Sequence, residues 1–134
     1  MIRIWTPVRN FLLLFVLALG LTGCGEESKS RRILGQVGAQ NLRTKTLAVC
    51  RDGFASGTPQ KVAEDQWPES VRAFQPASLW AEPDGAYLLI YSDADGERGI
   101  YLPRILSDQD PVCGPTLQHV KLAEGVYTYD RKRR

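Results

Sequence analysis

The feature that most constrains this chain is a short apolar segment at its beginning. Arg3 and Arg9 precede this segment. Residues 11–19 are all apolar, and small and turn-forming residues follow up to Gly23. This order is typical of a secretory signal, in which an apolar run of about 7 to 15 residues enters the export channel. A transmembrane anchor is the alternative, but it normally needs ~20 apolar residues. We therefore expect residues 1–23 to be removed as a signal peptide.

The last residues of this segment, Leu21, Thr22, Gly23 and Cys24, resemble the lipobox of bacterial lipoproteins. In that family the cysteine thiol receives a diacylglycerol, the signal is cut before the cysteine, and the new amino end is acylated, for example with palmitate. The resemblance implies this lipidation for Cys24. Two or more acyl chains anchor a protein stably, since each buried CH₂ contributes about 0.8 kcal/mol. The resemblance covers residues 1–24 only and implies no family for the remaining domain.

The residue after the lipobox bears on the membrane that the protein reaches. Gly25 follows Cys24, and in Gram-negative lipoproteins a residue other than Asp at this position resembles the set forwarded to the outer membrane. We therefore expect a protein of the cell envelope, anchored in the outer membrane and facing the periplasm.

Charge gives little support for a polyanionic partner. The chain has 17 basic and 15 acidic residues, and removal of Arg3 and Arg9 with the signal leaves a neutral mature chain. A nucleic-acid-binding protein normally has a concentrated basic face, so we expect no nucleic-acid partner. Residues 131–134 form a basic tail, which either contacts an anionic surface of the envelope or is simply a solvated end.

With Cys24 assigned to lipid, Cys50 and Cys113 remain. Two cysteines in an oxidising compartment suggest a disulfide. Closing a loop of this length would stabilise the fold by about 4 kcal/mol in the chain-entropy description. The alternative is a reactive Cys113 thiol beside His119, which would need a lowered thiol pKa and a positioned imidazole.

The pattern of the mature chain predicts an α+β fold. Residues 24–32 carry the lipidated cysteine and a polar tether, and residues 33–134 form a single small domain. We expect a small antiparallel sheet of about five strands in meanders and hairpins, with one short helix. The meander and hairpin strands are predicted at 78–82, 86–92, 99–105, 116–122 and 126–130. Further strands are predicted at 44–50 and, with the weakest signal, at 33–37.

The short helix is predicted at residues 68–75. Proline is favoured at the first helical position, and Pro76 prevents continuation. Trp67, Val71 and Phe74 fall at helical spacing, so they form one stripe that packs on the sheet.

No spacing in the chain matches a known catalytic or metal motif. Asp93, Asp95 and Glu97 alternate in a way that suggests a calcium loop, but Arg98 stands where an EF-hand has glycine, so a hairpin turn is the better interpretation. His119 is the single histidine and has no zinc-type spacing around it. We predict no cofactor, no metal and no enzymatic activity.

The remaining candidates for recognition are aromatic side chains. If the tyrosines of neighbouring strands share an exposed sheet face, they form a platform for a partner. This leads us to expect a noncatalytic, membrane-anchored accessory module that binds a protein or peptidoglycan. A small envelope hydrolase and a purely structural envelope component are the alternatives. The candidate contact residues are Trp80, Tyr87, Tyr91, Tyr127 and Tyr129.

Lipidation gives the first test. The native protein should have a mass that corresponds to a chain starting at Cys24 and carrying a diacylglycerol and an N-acyl group. The variant Cys24→Ser should keep residues 1–23 and carry no lipid, whereas Cys113→Ser should be processed normally. Intact mass spectrometry measures all three. A wild-type chain that starts at Met1, or that has an unmodified Cys24, would contradict the lipobox assignment.

Overall fold

The structure, a computed structural model, describes residues 25–133, so the lipidation site Cys24 and the predicted signal lie outside it. The chain divides into two compact units, Met1–Arg32 and Ile33–Arg134. In the first unit, the described residues are helical, and Arg31 pairs with Glu27 one turn away at 2.8 Å. The segment predicted to be a polar tether is therefore helical over residues 25–32. Within residues 25–133, no helix is both long and apolar enough to cross a membrane.

The amino-terminal half of the described chain is mostly helical. Gly38, with a φ of 84°, separates the first two helices, and left-handed backbone of this kind favours glycine. A 3-10 turn at Glu64–Gln66 precedes the last helix. The helices are α1 (Gly25–Val37), α2 (Ala39–Val49), α3 (Arg51–Ser56) and α4 (Glu69–Arg72).

The strands predicted at 33–37 and 44–50 are wrong, because these segments belong to α1, α2 and the turn at Cys50 that precedes α3. Leu42, Thr46 and Cys50 are completely buried and lie four residues apart. This spacing places them on one side of a helix, where they pack against the sheet. The β-branched residues of the 44–50 segment favour a strand locally, but burial of the helical stripe decides the structure.

The carboxyl-terminal half forms one antiparallel sheet of six strands. Its order is β1-β2-β3-β4-β6-β5, with β3 and β4 in the middle. The α+β prediction is confirmed, with six strands instead of about five and with more than one helix among the described residues. The strands are β1 (Gln60–Val62), β2 (Ser78–Glu82), β3 (Gly85–Ser92), β4 (Gly96–Pro103), β5 (Leu117–Ala123) and β6 (Val126–Lys132).

The main core lies between the helices and one face of this sheet. Side chains alternate between the two faces of a strand, and on the helix-covered face Leu79, Leu88, Ile100 and Leu102 are completely buried. The predicted stripe of Trp67, Val71 and Phe74 is confirmed as part of this core. The indole of Trp67 also donates a hydrogen bond of 3.1 Å to the carbonyl of Val62.

Substitution of Gly99 tests how closely strands β3 and β4 pack. A Cβ at this position in β4 would overlap the carbonyl oxygen of Leu88, whereas a Cβ at Gly114 would meet no atom within 4 Å. Gly99→Ala should lower the free energy of unfolding by about 2 to 3 kcal/mol through overpacking. Gly114→Ala should change it by less than about 0.5 kcal/mol. Denaturant unfolding measures both, and equal effects of the two substitutions would contradict this packing.

Candidate functional site

The sheet face opposite the helices carries a cluster of aromatic residues in register. Tyr87 on β3 pairs with Tyr101 on β4, which pairs with Tyr127 on β6. Tyr129 follows two positions later on β6, and Trp80 on β2 lies opposite Tyr87. We call these five residues the aromatic face. None of the described helices contributes a residue to this cluster.

The tyrosine rings of the aromatic face pack against one another. The centroids of Tyr87 and Tyr101 are 4.7 Å apart, and those of Tyr87 and Tyr129 are 5.1 Å apart in an edge-on arrangement. Such geometries are the favourable ones for aromatic pairs. All four tyrosines are 5% exposed or less, while Trp80 is half-buried. The aromatic face is therefore a second core and not a platform of exposed rings.

Two carboxylates accept hydrogen bonds from the tyrosine hydroxyls. Asp84 Oδ2 accepts from Tyr87 at 2.7 Å and from Tyr101 at 3.2 Å, and Asp110 Oδ1 accepts from Tyr127 at 3.2 Å. Burial, reinforced by Asp84, raises the pKa of Tyr87 and Tyr101 above the ordinary phenol value. The phenols therefore stay neutral donors, which satisfies their polar ends inside an apolar cluster.

Arg131 lies over the aromatic face. Its guanidinium carbon is 4.9 Å from the ring centroid of Tyr87 and 5.9 Å from that of Tyr129, and its Nη2 is 3.5 Å from Glu82 Oε2. Burial alone would lower the pKa of Arg131, but Glu82 and the two phenols outweigh it, so the pKa is raised. A cation–π contact of this kind contributes about 1 kcal/mol. The guanidinium of Arg131 therefore stays charged and covers the rings of Tyr87 and Tyr129.

His119 is the most unusual polar group near this face. Its ring centroid is 5.0 Å from that of Tyr101 and 6.3 Å from that of Tyr127. Both ring nitrogens are buried without a hydrogen-bond partner among the described residues. Burial is the main cause that lowers its pKa; Arg131 lowers it further and Asp84 opposes the shift. The environment therefore favours the neutral imidazole.

A loop of residues 104–116 connects β4 to β5 beside a cavity of about 500 Å³. Three of its large apolar side chains are exposed: Ile105 by 76%, Leu106 by 53% and Val112 by 89%. The cavity is lined by loop residues, the end of β4 and the β5–β6 turn, with Tyr101 and Tyr127 among its lining residues.

Arg43 on α2 holds two sides of this cavity together. Its Nη1 donates hydrogen bonds of 2.8 Å to the carbonyl oxygens of both Pro103 and Gly125. Gly125 has a φ of 71° and lies against this guanidinium, so a side chain there would collide with Arg43 and Leu106. The end of β4 and the β5–β6 turn are therefore both fixed to the helical layer.

The structure brings most of the predicted contact residues together. Trp80, Tyr87, Tyr127 and Tyr129 share the aromatic face, but the prediction that Tyr91 shares it is wrong. A β-bulge follows Leu89, so Tyr91 lies opposite Arg98 and its alternation is reversed. Tyr91 is 45% exposed, away from this cluster.

Sequence reasoning did not single out the acceptors of the site, Asp84 and Asp110. Tyr101, which follows the same alternation as Tyr87, completes the row of rings. The exposed apolar loop had a usable signal, because Ile105 and Val112 lie among turn-forming and acidic residues where burial is not expected.

The two remaining cysteines lie in different environments. Cys50 is completely buried, and this burial raises the pKa of its thiol to about 12. Cys113 is exposed in the 104–116 loop, and its Sγ is 3.9 Å from the carbonyl oxygen of Pro111. Both are free thiols in this structure, and their disulfide stays a prediction. Because the nitrogens of His119 have no described partner, the thiol–imidazole pair of a hydrolase is not formed here.

The acidic turn between β3 and β4 has the predicted hairpin role. Asp93 Oδ1 accepts hydrogen bonds from the backbone N–H groups of Asp95, at 2.8 Å, and Gly96, at 2.9 Å. These bonds hold the pKa of Asp93 below its ordinary value. Among residues 25–133, no group of three or more His, Cys, Asp or Glu side chains is placed to hold a metal ion.

The predicted basic tail is largely structured. Arg131 and Lys132 belong to strand β6, so the segment is not merely a solvated end. Arg133 donates to Ser92 Oγ at 3.0 Å and lies 3.9 Å from Glu97. Its contact with an envelope surface stays a prediction.

Comparison with known proteins finds no matching family model, no similar curated protein and no similar solved structure. Function must therefore be inferred from the geometry of this chain.

His119 makes stability depend on pH. Its pKa is lower in the folded chain than the ordinary 6.5, so the unfolded chain binds more protons as the pH falls. The neutral His119 therefore contributes to the stability of the folded chain above pH 6.5. This contribution is lost as the pH falls through the pKa of His119 in the folded chain. Denaturant unfolding from about pH 7.5 to about pH 5 should show a smaller loss of stability for His119→Phe than for wild type. The same loss in both proteins would contradict this role, because His119 is the single histidine.

Proposed function

We propose that this protein is a noncatalytic accessory module of the bacterial cell envelope, anchored by a lipid on Cys24, which binds a protein partner through its 104–116 loop. One observation carries the proposal: Ile105, Leu106 and Val112 expose large apolar side chains on a single loop beside a cavity. Scattered exposed apolar residues are normal, but a group of them on one loop is typical of an interaction surface.

The ends of this loop are held in place, as in a binding loop on a rigid scaffold. At its start, the N–H of Arg104 donates to the carbonyl of Asp84 at 2.8 Å. In its middle, Asp110 accepts the hydroxyl of Tyr127. Near its end, the N–H of Gly114 donates to the carbonyl of Leu117 at 2.8 Å. A loop positioned in this way loses less conformational entropy when it binds.

The apolar side chains supply the driving force for association. Full burial of a valine, leucine or isoleucine contributes about 1.5 to 3 kcal/mol relative to exposure. Ile105 is 76% and Val112 is 89% exposed, so most of this free energy remains to be gained when a partner covers them. Loops longer than about twelve residues are also uncommon unless they are functional or disordered.

The aromatic face has a supporting role in this proposal. Its tyrosines are too buried to contact a partner directly. Two of them, Tyr101 and Tyr127, instead form walls of the cavity, and Tyr127 holds the loop through Asp110. The aromatic cluster therefore positions the binding loop, while the contact itself is made by the loop.

Site-specific photo-crosslinking in intact cells tests this proposal. A photoreactive amino acid at Val112 should give a discrete crosslinked protein, whereas one at the exposed Asp65, in the 3-10 turn, should not. Adding Ile105→Ser and Leu106→Ser should weaken the Val112 crosslink about tenfold, because two apolar contacts are lost.

Three outcomes would contradict the proposal. Crosslinks of the same pattern from Val112 and Asp65 would show that the loop has no special role. A Val112 crosslink that persists in the double serine variant would show that the apolar side chains do not drive binding. Crosslinks to peptidoglycan alone would replace the protein partner by a cell-wall ligand.

A further inference from the structure

His119 lies on β5, which is an outer strand of the described sheet and pairs there only with β6. Its side chain is on the same side of the sheet as the tyrosines, because it lies opposite Tyr129. Its ring packs against Tyr101 at 5.0 Å and, edge-on, against Tyr127 at 6.3 Å. A strand with one neighbour opens more easily than a central one. His119 therefore connects the aromatic face to a strand that can open locally.

Protonation of this imidazole is costly in its present position. Both ring nitrogens of His119 are buried and have no hydrogen-bond partner among the described residues. A neutral imidazole carries one N–H group, whereas an imidazolium carries two N–H groups and a positive charge. A buried charge without a hydrogen-bonded partner costs far more free energy than a buried neutral ring. A protonated His119 therefore favours an arrangement in which the imidazole reaches water.

The charged groups nearest to His119 do not supply the missing partner. Arg131 on β6 lies over the neighbouring rings, and its positive charge opposes an imidazolium. Asp84, in the turn between β2 and β3, favours an imidazolium. However, Asp84 Oδ2 already accepts the hydroxyls of Tyr87 and Tyr101 and makes no hydrogen bond to either nitrogen of His119.

The other titratable groups on this side of the sheet leave the balance unchanged. The phenols around the imidazole stay neutral, because burial raises their pKa. Lys121, two positions along β5 on the same face, adds a second positive charge. Glu82 is paired with Arg131 at 3.5 Å, and Asp110 accepts the hydroxyl of Tyr127. None of these carboxylates is hydrogen-bonded to the imidazole.

Strand β5 and its ring contacts are connected to the 104–116 loop at two points. The N–H of Gly114 donates to the carbonyl of Leu117 at 2.8 Å, where β5 begins. Tyr127, whose ring packs against the imidazole, donates its hydroxyl to Asp110 of the loop at 3.2 Å. Movement of β5 away from the aromatic face therefore disturbs both contacts that hold the second half of the loop.

We propose that protonation of His119 releases β5 from the aromatic face, loosens the 104–116 loop and so weakens partner binding in an acidic medium. This regulation rests on the proposed function, because it acts through the loop that makes the contact. At neutral pH the imidazole is uncharged, β5 is closed and the loop is held. One proton shifts such an equilibrium about tenfold for each unit by which the pKa of the group differs between the two states.

Native-state hydrogen exchange on the full chain in detergent tests the opening of β5. The N–H of Lys132 donates to the carbonyl of Thr116 directly opposite. Hydrogen-bonded pairs alternate along an antiparallel ladder, so the amides of Gln118 and Val120 donate to β6. After correction for intrinsic rates, their opening should depend less on denaturant than that of the Leu88 amide in β3. It should become about three- to tenfold more favourable from pH 7.5 to pH 5.

The single histidine provides the control for this measurement. NMR titration of the full chain reports only His119, and opening of β5 should follow the same midpoint. His119→Phe keeps an aromatic ring but takes up no proton, so its β5 opening should not change with pH. His119→Gln is a second neutral variant that should behave in the same way.

Two results in wild type alone would overturn the proposal, whether or not the variants fold. The first is a local opening of β5 that does not change between pH 7.5 and pH 5, which would show that the imidazole stays in place when the strand opens. The second is exchange of the Gln118 and Val120 amides only through the global unfolding that exposes Leu88, which would show that β5 has no separate opening.

The Val112 crosslink tests the connection to binding. Membranes isolated from the same cells and irradiated at pH 5 should give a crosslink about three- to tenfold weaker than at pH 7.5, whereas His119→Phe should give equal yields. Equal wild-type yields would overturn the regulation and leave the protein-binding function intact. Absence of the crosslink at pH 7.5 would contradict the proposed function, and with it the regulation, whatever the exchange at β5.

Discussion

The in-register pairing of β3, β4 and β6 is the constraint on which this structure depends. It places leucines and isoleucine toward the helices and, at alternate positions, Tyr87, Tyr101 and Tyr127 on the opposite face. A shift of one residue in either pairing would exchange the two sets between the faces. The register therefore creates both cores at once, one between sheet and helices and one made by the tyrosines themselves.

A tyrosine core differs from an aliphatic one because each ring ends in a polar group. Asp84 and Asp110 accept the hydroxyls of Tyr87, Tyr101 and Tyr127, and both carboxylates belong to connecting segments outside the strands. The aromatic cluster thus positions the chain beyond the sheet, including the 104–116 loop. Packing on a face without described helices and placement of the 104–116 loop have the same physical cause.

The sequence predicted the strands of the carboxyl-terminal half because their alternation and turn residues are local signals. It failed at residues 44–50, where the helical spacing of Leu42, Thr46 and Cys50 opposes the strand preference of β-branched residues. It also failed for Tyr91, since a β-bulge has no clear sequence signal. The exposure of the tyrosines could not be predicted, because it depends on how rings from separate strands meet.

Arg43 shows how one side chain connects distant parts of this chain. It lies 60 positions from Pro103 and 82 from Gly125, and it binds both. Transplanting the 104–116 segment onto another antiparallel scaffold would therefore carry over its apolar side chains but not their spatial arrangement. A successful graft would have to include a helix with an arginine at the equivalent distance, together with the glycine that makes room for it.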